Sequence, residues 1–529
     1  MRATARAQST RSLTATGGRC CAPHRVHVAR PQHVAPTQQR QRRAVAVRGT
    51  ADDTLTADVV IVGAGIVGLF AAADLLKAGL SVALLERRGL CAGATGAGQG
   101  YLWMAHRNPG SVGWALAARS VALWQRQVES DPAFREAIEW QDCGSLLVAT
   151  SPTEAAALSE RQMHLNEVGV RASYMDGRRL ADAEPGLALP PGGAALLVQA
   201  DTQINGRKAA HILLDKCRAS PDFTDVMGEG GEVQGLELAA GPGAGHVVRT
   251  KGGRVRARHA LVLAAGVWTG GLLAAATAEP QWQALLQPRR GHLLELPQPA
   301  GMPRVAHGIM EMSYTKHYAQ AAAGGAKAAA SGPNHDEEVD ITFTATTSAS
   351  GTLLVGSSRE FSGWDVTPSP AVVSAIMQRA ALFLPGLQPA AAQAAAAAAP
   401  GSSSGGVPGL SVRVGLRPYA VGGLPLVGPV AGAPGLFVAA GHEGSGLCMG
   451  PATGQLLSRH VRKHVGASST AAGAGGGPPA AAPTAAAAAA AAAAKKGKGA
   501  AVDSLDTASF NDLLPDVRRK AAFADAARK

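Results

Sequence analysis

The sequence predicts an α/β fold built around a parallel sheet, and residues 56–88 carry most of that prediction. Residues 59–62 form a β-branched apolar run, which is typical of a strand buried on both faces. A glycine-rich turn and a helical pattern follow, and residues 81–85 form a second apolar strand that ends at Glu86. Strand, turn, helix and second strand in this order form a βαβ unit.

The turn of this unit has the spacing G-x-G-x-x-G, with glycines at Gly63, Gly65 and Gly68. The first glycine allows a tight turn, the second lets the backbone approach a pyrophosphate, and the third lets the helix pack closely on the strand. Glu86 lies 18 residues beyond Gly68, where an acid that binds a ribose is expected. We therefore predict a Rossmann-like dinucleotide site. The alternative is a glycine turn in an ordinary βαβ unit, with Glu86 merely solvated.

The first 51 residues form a basic leader that carries most of the net charge. They contain ten Arg, no Lys and no acidic residue, and the whole chain has a formal net charge of +12. The remainder therefore carries 12 − 10 = +2, which gives no support to nucleic-acid binding. A leader rich in Arg, Ser, Thr and Ala without an apolar core is typical of an organelle transit peptide. We expect import into a chloroplast or other plastid. A mitochondrial address and a basic N-terminus without an address are the alternatives.

Cysteine spacing and apolar runs predict neither a metal site nor a membrane span. Cys20 and Cys21 lie in the leader, and the other four cysteines are scattered without C-x-x-C spacing. Neither a disulfide framework nor a zinc site follows from such spacing. No run of 18 strongly apolar residues occurs, so no transmembrane helix is expected. The sequence does not indicate an oligomeric state.

A flexible, glycine-rich stretch, residues 87–111, follows Glu86. Its composition argues against a packed strand or a helix interior, and a glycine backbone can wrap closely around a ligand. We expect it to contact the dinucleotide, the alternative being a surface loop. Beyond it, residues 112–195 have mostly helical patterns, with a strand in QDCGSLLVATS and a further helix for which Ser151 is the expected N-cap.

Motifs at both ends of the regular region resemble the D-amino-acid-oxidase-like family of FAD-dependent oxidoreductases. They are the glycine turn, the ER pair at Glu86–Arg87 followed by GATGAGQG, and the segments GLRP, GLPLVG and GLFVAAGHEGSG near the C-terminus. The resemblance spans most of residues 56–464. It implies a Rossmann-like FAD-binding domain of the glutathione-reductase type (α/β), interleaved with a mixed-sheet substrate domain (α+β). It also implies oxidation of the C–N bond of an amine or amino acid, the expected small-molecule partner.

The resemblance divides the chain into alternating segments of two domains. Two low-complexity inserts interrupt the second part of the predicted substrate domain, and a low-complexity tail follows the last segment. Residues 319–332 and 389–406 are Ala/Gly-rich inserts, which we expect to be disordered loops. The tail contains one short amphipathic piece, residues 504–529. The predicted segments are a transit peptide (1–51), an FAD-binding domain in three parts (56–111, 196–280 and 405–464), a substrate domain in two parts (112–195 and 281–404) and a low-complexity tail (465–529).

The resemblance also implies which residues bind FAD. The stretch after Glu86 would hold the pyrophosphate and cover the isoalloxazine, and Val233 would contact adenine through its backbone. A helix that begins near Gly446 would point its N-terminus at the flavin, where positive charge stabilises electron density at N1 and C2=O. The implied cofactor-binding residues are Gly63, Gly65, Gly68, Glu86, Arg87, Thr95, Gly96, Val233, Gly266, Gly441, Gly444 and Gly446.

Arg417, in GLRP, is the candidate catalytic-site residue. In members that oxidise glycine or D-amino acids, the matching Arg pairs with the substrate carboxylate, a task that suits a planar fork of donors. A purely structural Arg is the alternative. Those members also place a Tyr on the strand before V-G-S-S, where this chain has Thr344 and Thr346. Other polar candidates, each more typical of a structural role, are Tyr314, Tyr318, His106 and His442.

The resemblance further implies noncovalent FAD. Relatives that attach the cofactor use a Cys near the Arg417 position or a His in the loop that matches GATGAGQG, and this chain has neither. Two rival functions stay open. One is a dehydrogenase that passes electrons to an acceptor other than oxygen, and the other is a flavin-binding protein without turnover. A tRNA-modifying module is a further option, against which the +2 charge argues.

Overall fold

A computed structural model of the chain describes residues 54–239, 245–315, 339–402, 405–473 and 506–523. The leader, the insert at 319–332, Tyr318 and most of the low-complexity tail lie outside these ranges. Within the ranges, no helix is both long and apolar enough to cross a membrane.

Two eight-stranded sheets organise the described residues. The first has the order β17-β18-β11-β1-β2-β8, and β10 and β9 continue from β11. Its pairs β2–β8, β1–β2, β1–β11 and β11–β18 are parallel. The bounds are β1 Leu55–Val62, β2 Val82–Glu86, β8 Phe223–Met227, β9 Val233–Glu237, β10 His246–Thr250, β11 Gly253–Leu263, β17 Leu426–Pro429 and β18 Leu436–Ala440.

The second sheet is mixed and has the order β16-β12-β15-β14-β13-β4-β6-β5. Every pair in it is antiparallel except β13–β4. A small third sheet pairs β3 (Tyr101–Leu102) with β7 (Thr202–Gln203). The bounds of the second sheet are β4 Ser145–Ala149, β5 Ala172–Asp176, β6 Ala194–Val198, β12 Leu286–Leu296, β13 Gly308–Glu311, β14 Asp340–Thr347, β15 Leu353–Arg359 and β16 Ser411–Ala420.

Helices cover both faces of the sheets. Along β1, Val59 and Ile61 enter one hydrophobic core and Val60 and Val62 enter another, because successive side chains point to opposite faces. The helices are α1 Ile66–Lys77, α2 Ala94–Ala97, α3 Val112–Ser130, α4 Pro132–Ala137, α5 Pro152–Glu167, α6 Gly177–Ala183, α7 Gly206–Arg218, α8 Thr269–Thr277, α9 Gln281–Leu285, α10 Pro370–Phe383, α11 Gln388–Ala398, α12 Gly446–Gly473 and α13 Pro515–Phe523.

The predicted βαβ unit is present as β1, α1 and β2. Two helices also begin where the sequence predicts. The Ser151 side chain accepts a hydrogen bond from Glu154 N at the start of α5, and α12 begins at Gly446. The segment boundaries stay predictions. One strand matters for them: β16, at the start of the predicted third FAD-binding segment, pairs along its length with β12 of the second sheet.

Two local predictions are wrong. The insert at 389–406 is not wholly a loop, because α11 covers Gln388–Ala398 and buries Ala391 and Ala394 against the second sheet's core. Alanine has the highest helix propensity, and packing against the core makes such a tract regular. The glycine-rich stretch after Glu86 also contains regular structure, since α2 and β3 both lie in it.

The C-terminal residues 506–523 dock on the first sheet's side of the molecule. Phe510 and Leu513 are buried in its core, and the Arg518 side chain donates to the carbonyl of Val421 at 2.8 Å. Asp516 accepts a hydrogen bond from Ala431 N at 2.6 Å. Residues 506–523 of the predicted amphipathic piece are therefore part of the folded body.

Leu513→Ala should lower the stability of the protein by roughly 2–5 kcal/mol, since it leaves a cavity at a fully buried site. Val517→Ala, in the helix that follows, is the matched control, because 42% of that side chain is exposed and its loss should cost less than about 0.5 kcal/mol. Denaturant unfolding measures both. Equal stabilities for the two variants would show that the segment does not pack on the core in solution.

Candidate active site

A cavity of about 420 Å³ extends from the carboxyl ends of β1 and β2 to the strands β12, β14 and β16 of the second sheet. Glu86 and Val233 line one end, and Tyr314, Thr344 and Arg417 line the other. Its walls therefore come from both sheets, at the edge where parallel strands of an α/β fold place their ligands.

The glycine turn forms the floor of this cavity. Gly63 has φ = +113°, and a Cβ at that position would lie 2.5 Å from the carbonyl oxygen of Ala264. A Cβ at Gly68 would overlap the carbonyl oxygen of Gly63. Only glycine therefore lets α1 start this close to β1, and the N-terminal end of α1 faces the cavity through Gly65, Ile66 and Val67.

Two side chains brace the turn. One oxygen of Glu86 accepts from Ala64 N at 3.2 Å, and the other accepts from Arg88 N at 2.9 Å. The Thr95 hydroxyl accepts from Ile66 N at 3.1 Å, so it caps the first turn of α1 from a distant loop. Each Glu86 oxygen keeps a lone pair for a further donor, such as a ribose hydroxyl.

The neighbouring wall carries an arginine and a tryptophan. The Arg87 guanidinium lies over the Trp268 ring, 4.4 Å from its centroid, and both side chains line the cavity. Gly266 has φ = +57° in the 3₁₀ turn that precedes Trp268, a conformation that favours glycine. Trp268 is absent from the sequence prediction, although it lies two residues after the predicted Gly266.

Most of the sequence-predicted cofactor residues line the cavity, and three do not. Gly68, Gly96 and Gly441 lie behind the wall and allow close packing there; a Cβ at Gly441, for example, would lie 2.9 Å from that of Ala420. The predicted residues that line the cavity are Gly63, Gly65, Glu86, Arg87, Thr95, Val233, Gly266, Gly444, Gly446 and Arg417.

Arg417 lies flat across β12. Its Nη1 donates to the carbonyl of Ser358 at 2.8 Å and approaches that of Arg290 at 3.5 Å, and a Cβ on Gly291 would overlap the guanidinium. Within the described part of the chain, no carboxylate forms an ion pair with it. Burial lowers the pKa of Arg417, which reflects the cost of holding a cation here.

The other arginines near this end are all paired. Arg289 pairs with Glu443 at 3.1 Å, and Arg359 pairs with Asp340 at the same distance. Arg290 pairs with Glu360 at 2.8 Å and with Asp365 at 2.5 Å. Arg417 is thus the cation of this group that has carbonyl partners instead of a carboxylate.

Tyr314 lies close to Arg359 and is influenced by the charges of Arg359 and Arg417. The Arg359 guanidinium lies 3.7 Å from the centroid of its ring. Burial opposes ionisation of the Tyr314 hydroxyl, but Arg359 and Arg417 outweigh burial and lower its pKa. Tyr314 therefore belongs to the site, whereas the sequence offered it only as an alternative.

Three histidines are held neutral around the cavity. His292 accepts from Ser369 N through Nε2 at 3.1 Å, so its Nδ1 carries the proton and donates to Ser358 Oγ at 3.0 Å. Burial lowers the pKa of His292 to about 4, and burial alone does the same for His442. Burial also lowers the pKa of His106, which does not line the cavity. His292 is absent from the sequence prediction, because nothing local marks it.

The chain belongs to the family of FAD dependent oxidoreductases of the DAO type, whose model matches residues 58–460. The glycine oxidase of Pseudomonas aeruginosa is 28% identical over 418 residues, which cover 76% of this chain and 93% of that protein. The bifunctional protein MnmC of Chromohalobacter salexigens, named for tRNA 5-methylaminomethyl-2-thiouridine biosynthesis, is 31% identical over 272 residues. That match covers 48% of this chain and only 34% of MnmC.

Solved structures share the fold. The glycine oxidase of Geobacillus kaustophilus superposes with a TM-score of 0.61 at 24% identity, covering 78% of this chain and 95% of that one. The L-proline dehydrogenase of P. horikoshii also gives 0.61, at 17% identity, covering 78% and 94%. The predicted fold class and family are confirmed, and the chain is an FAD-dependent oxidoreductase.

The cavity residues fit FAD. A glycine cradle without Cβ atoms lies at the start of α1, where a pyrophosphate binds to free N–H groups. Glu86 offers acceptors for ribose hydroxyls, and the start of α12 at Gly446, which lies beside Ile66, offers a second positive helix end. When bound, FAD would supply the two-electron acceptor that no amino-acid side chain provides.

Gly68→Ala should abolish FAD binding, since the new Cβ overlaps the Gly63 carbonyl and pushes α1 away from β1. Gly89→Ala is the matched control, because nothing lies within 4 Å of its Cβ position. Acid precipitation followed by flavin absorbance of the supernatant measures the content. We expect yellow supernatants from the wild type and Gly89→Ala and a colourless one from Gly68→Ala. Flavin that stays in the wild-type pellet would contradict noncovalent binding.

Proposed function

We propose that the protein oxidises a small α-amino acid whose carboxylate is held by Arg417. In this reaction the carbon bearing nitrogen gives a hydride to flavin N5 and the nitrogen loses a proton. Water then hydrolyses the resulting imine to a carbonyl compound and an amine or ammonia. The observation that carries the proposal is Arg417: a buried guanidinium that lines the cavity and has no carboxylate partner among the described residues.

The geometry of Arg417 favours a bidentate partner. Its hydrogen bonds to described residues both use Nη1, so Nη2 and Nε remain for an incoming carboxylate. A charge-assisted pair contributes roughly 1.5–3 kcal/mol, more than a neutral hydrogen bond. Because the neighbouring arginines are already paired, Arg417 is the cation that can bind a substrate carboxylate. We therefore expect a substrate with one carboxylate rather than a dicarboxylate.

The other side chains at the substrate end are neutral or paired, since Glu443, which also lines the cavity, pairs with Arg289. Thr344, Ser357, His292 and Tyr314 line it, and the low pKa of His292 keeps its imidazole uncharged at neutral pH. A neutral wall beside a single cation suits a small amino acid whose nitrogen reacts as the free amine. The resemblance to glycine oxidase in sequence supports the same substrate class.

The electron acceptor separates this proposal from its rivals. An oxidase and a dehydrogenase would both have their flavin reduced by substrate without air, and only the oxidase would be reoxidised rapidly by oxygen. A flavin-binding protein without turnover would not be reduced by any amine.

Anaerobic mixing with glycine, N-methylglycine, D-alanine and simple amines should bleach the flavin absorbance for at least one α-amino acid. Arg417→Lys keeps the charge but loses the fork, so kcat/KM for that substrate should fall at least about tenfold. Arg413→Lys is the control: it changes an Arg on the same strand, paired with Glu295 outside the cavity, and should behave as the wild type. If simple amines without a carboxylate react equally well, Arg417 does not bind substrate.

We also propose that residues 1–51 direct the protein into a plastid. The support is their ten Arg without an acidic residue, in a leader without an apolar core. The reaction chemistry is independent of this address.

A fluorescent protein fused behind residues 1–51 should therefore enter plastids, as seen by microscopy of living cells. Replacing the ten Arg by Gln should leave the fusion in the cytosol, because the basic character would be lost. Mitochondrial fluorescence of the unmodified fusion would contradict the plastid address.

A further inference from the structure

Tyr101 lies at the substrate end of the cavity on the short strand β3. Its ring stacks on Trp103, with 3.7 Å between centroids and 16° between the ring planes. The strand is held by Gln203 and Thr202 of β7, and Gly100 before it has φ = +102°. A Cβ on Gly100 would overlap the carbonyl oxygen of Ile204, so this backbone is fixed by a contact that only glycine allows. The position of the phenol ring is therefore fixed by the fold.

The hydroxyl of Tyr101 is buried and makes no hydrogen bond of normal geometry with any described residue, although Thr344 and Gln99 lie close enough to influence its pKa. Leaving a buried hydroxyl without a partner costs roughly 1–3 kcal/mol, so such groups are rare and call for a reason. Since Tyr101 lines the cavity, a molecule bound there is the partner that the fold leaves room for.

The polar side chains beside Tyr101 satisfy each other. Thr344 Oγ1 donates to Gln99 Oε1 at 3.0 Å, and Gln99 Nε2 donates to the carbonyl of Leu354 at 3.3 Å. Burial raises the pKa of Tyr101, so its phenol stays protonated. The group that faces the cavity is thus a neutral hydroxyl, which cannot act as a base and can accept one hydrogen bond and donate another.

Tyr101 and Arg417 line the same cavity. Arg417 bonds to the carbonyl of Ser358 on β15, and Thr344, next to Tyr101, pairs with Gly356, two residues earlier on that strand. A small molecule held by Arg417 therefore lies near the part of the cavity that Tyr101 also lines.

We propose that the Tyr101 hydroxyl is the substrate-contacting residue that accepts a hydrogen bond from the substrate's amino nitrogen, while Arg417 holds the carboxylate. This inference rests on the proposed function and deepens it, because it makes recognition a two-point contact with α-amino acids. The neutral phenol can accept from an N–H of the free amine, the form from which a hydride leaves. Tyr101 therefore acts in binding and orientation, and the proton released from nitrogen leaves to water.

The test uses the holoenzyme and separates the two contact points. Tyr101→Phe removes only the hydroxyl and keeps the stack on Trp103, and Tyr174→Phe, on β5 away from the cavity, is the matched control. Acetate carries only the carboxylate, whereas glycine and N-methylglycine carry both groups. Perturbation of the flavin spectrum gives the dissociation constant of each, and anaerobic reduction gives the rate with the two amino acids. Melting of each apoprotein reports on structure.

For Tyr101→Phe we expect an unchanged dissociation constant for acetate, and glycine and N-methylglycine binding that is weaker by about tenfold. Its apoprotein should melt no lower than the wild type, because the lost hydroxyl had no partner. Tyr174→Phe should match the wild type with all three probes. Unchanged glycine and N-methylglycine binding, or an equal loss for acetate, would overturn the role of Tyr101. A wild type that binds glycine and N-methylglycine no better than acetate and is reduced by neither would overturn the proposed function as well.

Discussion

The close packing of helices α1 and α12 is the constraint on which the rest of this structure depends. A Cβ at Gly454 would lie 2.8 Å from the backbone carbonyl of Phe70, and one at Gly450 would lie 2.9 Å from the Phe70 ring. The absence of side chains at these positions lets the two helices touch along their first turns. Both helices begin at the same cavity, at Ile66 and Gly446, so two positive helix ends converge on it. The same helix packing therefore builds the core of the first sheet and places both helix starts at the cofactor site.

The site contains one arginine of the second sheet, Arg417, that has no carboxylate partner among the described residues. Buried ion pairs contribute little net stability unless both partners are well bonded, whereas a buried charge without a counter-ion is costly. Arg289, Arg290 and Arg359 each have a carboxylate, and Arg417 has only carbonyl oxygens in the described part of the chain. At Arg417 the fold meets this cost directly on the cavity. A bound carboxylate removes it, which couples substrate binding to the stability of the strand that carries Arg417.

The sequence predicts most residues of the cofactor site but not the distant contacts that position them. The turn at Gly63–Gly68 and Glu86 follow from spacing, because they lie within one strand–turn–helix–strand unit, whereas the helix start at Gly446 follows from the family resemblance. Thr95 capping Ile66 is a contact across 29 residues, and Arg417 bonding to Ser358 spans 59. No periodicity signals such pairs. The helix at Gln388–Ala398 was missed for a different reason: a low-complexity composition hid a helix former with a core to pack on.

The short strand β3 shows how a stretch without an apolar pattern can still become the most constrained part of a site. Residues 87–111 have the composition of a loop, yet Gly100, β3 and the pairing with Gln203 fix the backbone at Tyr101. Asp201, next to β7, accepts from Met104 N at 2.6 Å and Ala105 N at 3.1 Å and so holds the chain just beyond β3. Burial raises the pKa of Asp201 to about 6, which shows that its charge is retained at some cost. Asp201 also accepts from Ser145 Oγ at 2.6 Å, so one buried carboxylate ties the start of β4 to the backbone just beyond Tyr101.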